Sequence, residues 1–179
     1  MPIIATDIQL RLTVLTGTAG NSTAGTPAGS LGKYISTTQI SGTALNNIFD
    51  NISGDENAAS TVDYRCIAVY NAHATLTLLA PVVWLSAETA GGANMALSVD
   101  TTSASALGNT VAQAKEIATE TTAPATQTFS APTTKATGLA LADIPAGQVK
   151  GIWLRRTAAN SAALDNDGFT VSVSGDTAG

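Results

Sequence analysis

Few side chains in this 179-residue chain are suited to bond-making chemistry, and their spacing brings no familiar site together. His73 is the one histidine and Cys66 the one cysteine. A zinc site draws on several imidazoles or thiolates, so neither residue can anchor one. A nucleophile–base pair would need the two to meet in space. Cys66 instead lies in the run YRCIAVY, where a thiol behaves as a small buried hydrophobe. Asp165 and Asp167, in the run DNDG, could hold a calcium ion in a dedicated loop. An EF-hand loop would begin at Ala163, which has no ligand oxygen, and turn formation already explains Asp, Asn and Gly here. Asp50, Asp55, Glu56 and Asp63 form a second acidic group. A carboxylate-pair hydrolase needs two such groups facing across a cleft; a solvated loop is the simpler reading. GSLGKY at 29–34 lacks the first glycine and the Ser or Thr of a phosphate loop. Ser22 in GNSTA lacks the closing glycine of a nucleophile elbow. The sequence therefore assigns no catalytic, cofactor-binding or metal-binding residue, and no enzymatic activity is expected.

Trp84 and Trp153 occupy matching settings, VVWLS and GIWLR. Both are expected as core anchors of strands, because large rings dominate burial in a chain that is only 4% aromatic. The alternative is an exposed hot spot for a partner. Charged residues make up 12% of the chain, about half the usual share. Thr (27) outnumbers all Lys, Arg, Asp and Glu together (21), and Ala reaches 32. Such a surface suits a protein partly covered by other protein, since interface cores are depleted in charge. A net charge of −5 argues against a nucleic-acid partner. Arg155 and Arg156 are adjacent, but on a strand they point to opposite faces. The longest apolar run, 78–85, is too short to span a membrane, and the first residues lack a signal-peptide pattern. A chain made and assembled without export is expected.

The elements that would hold these residues are strands. Ile8, Leu10, Leu12 and Val14 alternate with polar residues, the period of a half-buried strand. Residues 16–32 (TGTAGNSTAGTPAGSLG) read as a long loop or arm, of the kind that marks a contact region. Residues 33–37 suggest a short strand. Residues 44–52 (ALNNIFDNI) are the best helix candidate, with Ser41 or Thr43 as cap, and 54–60 read as loop. Residues 63–71 are apolar on both faces, as in a central buried strand. In 75–86, Pro81 implies a bulge or an edge. Further strands are expected at 95–99, 126–129, 148–156 and 169–173, with turns at 145–147 and 165–168. Residues 111–117 could be a helical turn or a strand. About eight strands with at most one or two short helices predict an all-β fold, a β-sandwich or jelly roll, as a single domain over 1–179. Edge strands of such a fold need cover, so a homo-oligomer, such as a trimer, is expected.

Four stretches, in order, carry a resemblance: DYRCIAVYN at 63–71, LTLLAPVVWL at 76–85, ETTAPATQTFSAP at 120–132, and IPAGQVKGIWLRR leading into residue 176. As a set they resemble a family of structural virion proteins of tailed bacteriophages and prophages, over roughly the C-terminal two-thirds. The resemblance implies a particle component with a β-sandwich core and no catalytic residues. A capsid decoration (cement) protein is the leading expectation, with the major capsid protein or other virion subunits as partners. It would be assembled in the bacterial cytoplasm, with its arm at 16–32 ordering against neighbours. A tail, neck or fibre component is the alternative, and a carbohydrate-binding β-sandwich module a third reading.

Overall fold

A computed structural model describes residues 2–17, 23–108 and 110–177, and in it the alternating segments become nine strands in two antiparallel sheets. They are β1 (Ile8–Val14), β2 (Tyr34–Gln39), β3 (Val62–Asn71), β4 (Leu78–Glu88), β5 (Asn94–Val99), β6 (Ser105–Ala106), β7 (Leu139–Ala140), β8 (Gln148–Thr157) and β9 (Phe169–Thr177). The larger sheet runs β2-β1-β3-β8-β5, with β6 also on β8; the smaller runs β7-β4-β9. The all-β sandwich class is as expected. β8 and β9 do not pair: β8 lies between β3 and β5, and β9 pairs with β4 in the other sheet.

Alternation sorts the larger sheet into two faces. Ile67 and Val69 of β3, Met95 and Leu97 of β5, and Ile152 and Leu154 of β8 meet Val83 and Leu85 of β4 in the main core. The opposite face carries Cys66, Ala68, Val149 and Trp153, and is buried as well. That is why β3 and β8 read as nearly continuous apolar runs. The cover there is not a sheet but irregular chain, with Leu31, Ala114 and Ile117 packed on Trp153 and Cys66. Three buried polar side chains fasten this layer. Asp100 accepts from the Trp153 indole (2.7 Å) and from the Thr102 and Lys115 amides (2.8 and 2.9 Å). Gln113 accepts from Ile35 N (2.9 Å) and donates to Ala106 O (3.0 Å). Ser30 accepts from Thr13 N (2.9 Å) and donates to Cys66 O (2.6 Å). Gly32, at φ +95°, passes so close to Lys115 O that a Cβ would lie 1.9 Å from it.

Several local expectations need correction. Residues 44–52 form turns, not a helix. Asn46 sits at φ +53°, left-handed backbone that interrupts a right-handed helix, and the Asn47 amide bonds to Ser41 O instead. The helix is α1 (Gly54–Ala59), inside the stretch read as loop, and its cap is Ser53. Glu56 closes the capping box by accepting from Ser53 N (2.7 Å). Residues 126–129 are not a strand; only Ser130 bridges to Leu97. Residues 111–117 are neither helix nor strand. Pro81 does mark a bulge: the β4–β9 register shifts between Leu79 and Val82, with Ala80 at φ +43°. Of the stretch 16–32, residues 23–32 pack on their own molecule through Thr23, Gly25, Ser30 and Leu31. Residues 18–22, including Ser22, lie outside the described residues.

Candidate docking groove

The smaller sheet is narrower than the larger one, and the uncovered part of the inner face becomes a groove of about 970 Å³. Its apolar floor includes Ile8, Leu10, Ile67, Met95, Phe169 and Val171. Residues 39–54 form one wall and residues 161–168 the other. The volume falls within the range of natural binding sites, while the walls are largely polar.

Each wall has an anchored base and an exposed tip. In the first wall Ile48 and Phe49 are buried in the main core. The Phe49 ring meets Phe169 edge-on (6.1 Å) and lies 4.7 Å from the Arg156 guanidinium and 5.5 Å from that of Arg65. Arg156 in turn binds Asp63 (2.7 Å) and Asp50 (3.2 Å), and Arg65 binds Glu120. The Nε atoms of Arg65 and Arg156 are buried beside this ring without a hydrogen-bond partner. From this base the wall rises to Leu45, which is 79% exposed. The second wall is stapled to the β4–β5 turn. Asp167 accepts from Ala93 N (2.8 Å), Thr89 Oγ1 accepts from Gly168 N (3.0 Å), and Ser161 donates to Gly91 O (3.1 Å). A Cβ at Gly92 would lie 2.0 Å from the Asp167 carboxylate, so a side chain there would displace this staple. This wall's tip carries Leu164, 44% exposed. Two large apolar side chains thus stand at the mouth of a groove with an apolar floor and polar walls.

The residues singled out from sequence do not converge. Cys66 is fully buried, and burial raises its thiol pKa well above the ordinary 9.0. His73 sits in the turn after β3, where its Nδ1 accepts from Thr75 N (3.1 Å) and Leu76 N (3.0 Å). The acidic group at 50–63 divides. Asp55 and Glu56 form the first turn of α1, whereas Asp63 is buried against Arg156 and so does not belong to a solvated loop. Asp165 and Asp167 line the groove wall. Among the described residues no three His, Cys, Asp or Glu side chains gather to hold a metal ion, and no helix is long and apolar enough to cross a membrane. Trp153 is a core anchor with no exposed surface. Trp84 is not: it lies half-buried, paired with Ser172 on the outward face of the smaller sheet. The groove itself was invisible in the sequence; Leu45 and Leu164 were the available signal, as lone apolar residues in otherwise polar or small-residue loops. No family model, curated protein or solved structure matches this chain.

Proposed function

We propose that this protein is a structural component of a tailed-phage particle, a capsid decoration protein that binds shell subunits and stabilises the head by protein–protein contact. The virion context rests on the resemblance of the four stretches described above. The mode of action rests on one observation: a groove with an apolar floor and polar walls, whose mouth is flanked by the exposed side chains of Leu45 and Leu164. A stable contact needs about 800 Å² from each partner. Large contiguous apolar patches on soluble proteins often mark interaction sites. Of the groove's carboxylates, Asp50 is paired with Arg156.

Binding of purified protein to heads that lack it tests this reading. The Leu45→Asp, Leu164→Asp double variant should remain folded and lose head binding. Undiminished binding by that variant, or absence of the protein from purified particles, would remove the proposal. Copy number per particle separates the shell from a tail, neck or fibre position. A homo-oligomer is a separate proposal, read by light scattering. A second reading follows from Trp84. It stands half-exposed on a sheet face that also bears Ser86, Ser172 and Ser174, a surface that could stack a sugar ring. A glycan screen with no signal, and Trp84 fluorescence unchanged by glycans, would remove it.

A further inference from the structure

We propose that the groove receives an extended segment of a neighbouring virion subunit, which adds to β9 as a fourth strand of the smaller sheet. The segment carries alternating apolar residues and a Lys or Arg at its flank. This inference rests on the docking reading above and specifies its partner.

Among the described residues, the long sheet edges are met by other chain segments except one. The β2 edge is met by residues 23–25, through Thr37 N to Thr23 O (2.9 Å) and Gly25 N to Thr38 Oγ1 (2.9 Å). The β5 edge is met by Ser130, which exchanges two bonds with Leu97 (2.7 and 2.9 Å). The β4 edge is met by β7, by Pro132 O and by Ile144. Among the described residues, β9 bonds to β4 alone. It is nine residues long, so alternate amides and carbonyls along ~30 Å of edge face outward. Natural edges of this length are blunted by charged side chains, Pro, bulges or cover; β9 reads FTVSVSGDT, with Asp176 as its one charge and no Lys or Pro. Its first three residues line the groove. A strand laid along that edge would turn every second side chain onto the apolar floor, the arrangement used in strand addition.

Charge selects the occupant. Asp50, Asp165 and Asp167 line the groove against Arg156 alone, three carboxylates to one guanidinium, a formal −2. A second copy of this chain, itself at −5, would set two acidic rims together. A segment with basic flanks meets the rim with opposite charge.

The test uses full-length protein and three synthetic peptides. The first alternates valine and threonine over nine residues with a lysine at each end. The second replaces both lysines with glutamate. The third is the first peptide with alternate amides N-methylated along one edge, made in both registers. The lysine peptide should bind about tenfold more tightly than the glutamate peptide at low salt, from two surface charge contacts changed in sign. Its advantage should shrink as salt rises. One N-methyl register should abolish binding. Saturable binding that all peptides share equally, or no binding of the lysine peptide, would overturn the inference. So would a dimer that β9 variants dissolve, which would make a second copy the occupant.

Particles supply the second arm. Successive N–H groups of a strand point to opposite edges, so one of Ser172→Pro and Val173→Pro blocks the open edge while the other breaks pairing to β4. The edge-blocking variant should keep its thermal midpoint within a few degrees and lose head binding. If it folds and still binds heads, strand addition fails while the docking reading survives. If the protein binds the lysine peptide but is absent from particles, the virion reading fails and the strand-addition chemistry stands.

Discussion

Replacing Asp100 tests how the irregular outer layer is held. The carboxylate is 1% exposed and takes three donors: the Trp153 indole, the Lys115 amide and the Thr102 amide. In Asp100→Ala those donors lose their acceptor, and the indole lies in a part of the core without solvent contact. Each buried orphan costs ~1–3 kcal/mol. One fully buried orphan, the indole, and two part-buried amides open to partial rescue by water give a loss of about 4 kcal/mol. For a chain of this size that lowers Tm by roughly 8–16 °C. Asp100→Asn keeps one oxygen for Trp153 and Lys115 but turns an NH₂ towards the Thr102 amide, so it should cost only ~1–2 kcal/mol. Urea unfolding followed by Trp fluorescence measures both, and hydrogen exchange over 100–117 shows whether the layer lifts. The reasoning fails if Asp100→Ala costs less than about 1 kcal/mol, or if Asn and Ala cost the same.

Three further outcomes follow from the same structure. Asp63→Ala should cost ~3 kcal/mol, because it strands the buried Arg156 guanidinium. Asp50→Ala, whose side chain is 63% exposed, should stay within about 0.5 kcal/mol; urea midpoints separate the two. Burial raises the Cys66 thiol pKa, so the unfolded chain ionises above pH 9.0 while the folded thiol stays protonated. Stability from this group is therefore complete below pH 9.0 and falls by about 1.4 kcal/mol per pH unit above it. The stability difference between wild type and Cys66→Ala, followed from pH 7 to pH 10.5, should be flat and then narrow. Phe49→Ala should cost ~3–5 kcal/mol and loosen residues 40–53 in hydrogen exchange, whereas Leu45→Asp should leave stability within about 0.5 kcal/mol.

What the sequence revealed depended on how local the cause was. Period-two alternation placed β1, β5 and β9, because one face of each strand meets apolar core. The two-sided runs at 63–71 and 148–156 gave β3 and β8, because a second layer covers the far face. The nature of that layer was not legible. It has no periodicity, and Asp100, Gln113 and Ser30 read as ordinary polar residues until long-range contacts bury them. The helix was misplaced for a similar reason. Ile48 and Phe49 are apolar because they plug the core from a turn, while α1 is a short exposed helix with no buried residue to announce it. The DNISGDE context at 50–56 did hold the Ser53–Glu56 capping box, a local signal that outweighs propensity here. Trp84 and Trp153 look alike in sequence but differ in sheet: β8 is covered on both faces and β4 on one. The groove arises from unequal sheet widths, which no single segment encodes.

The most direct measurement is a reconstruction of the intact particle with this protein bound, at a resolution that traces backbone. The account predicts an extended stretch of a neighbouring subunit lying beside Phe169–Thr177, with its apolar side chains over Leu10 and Ile67 and a basic residue near Asp165. A particle in which β9 and the groove face solvent, while some other surface makes the contact, would contradict it.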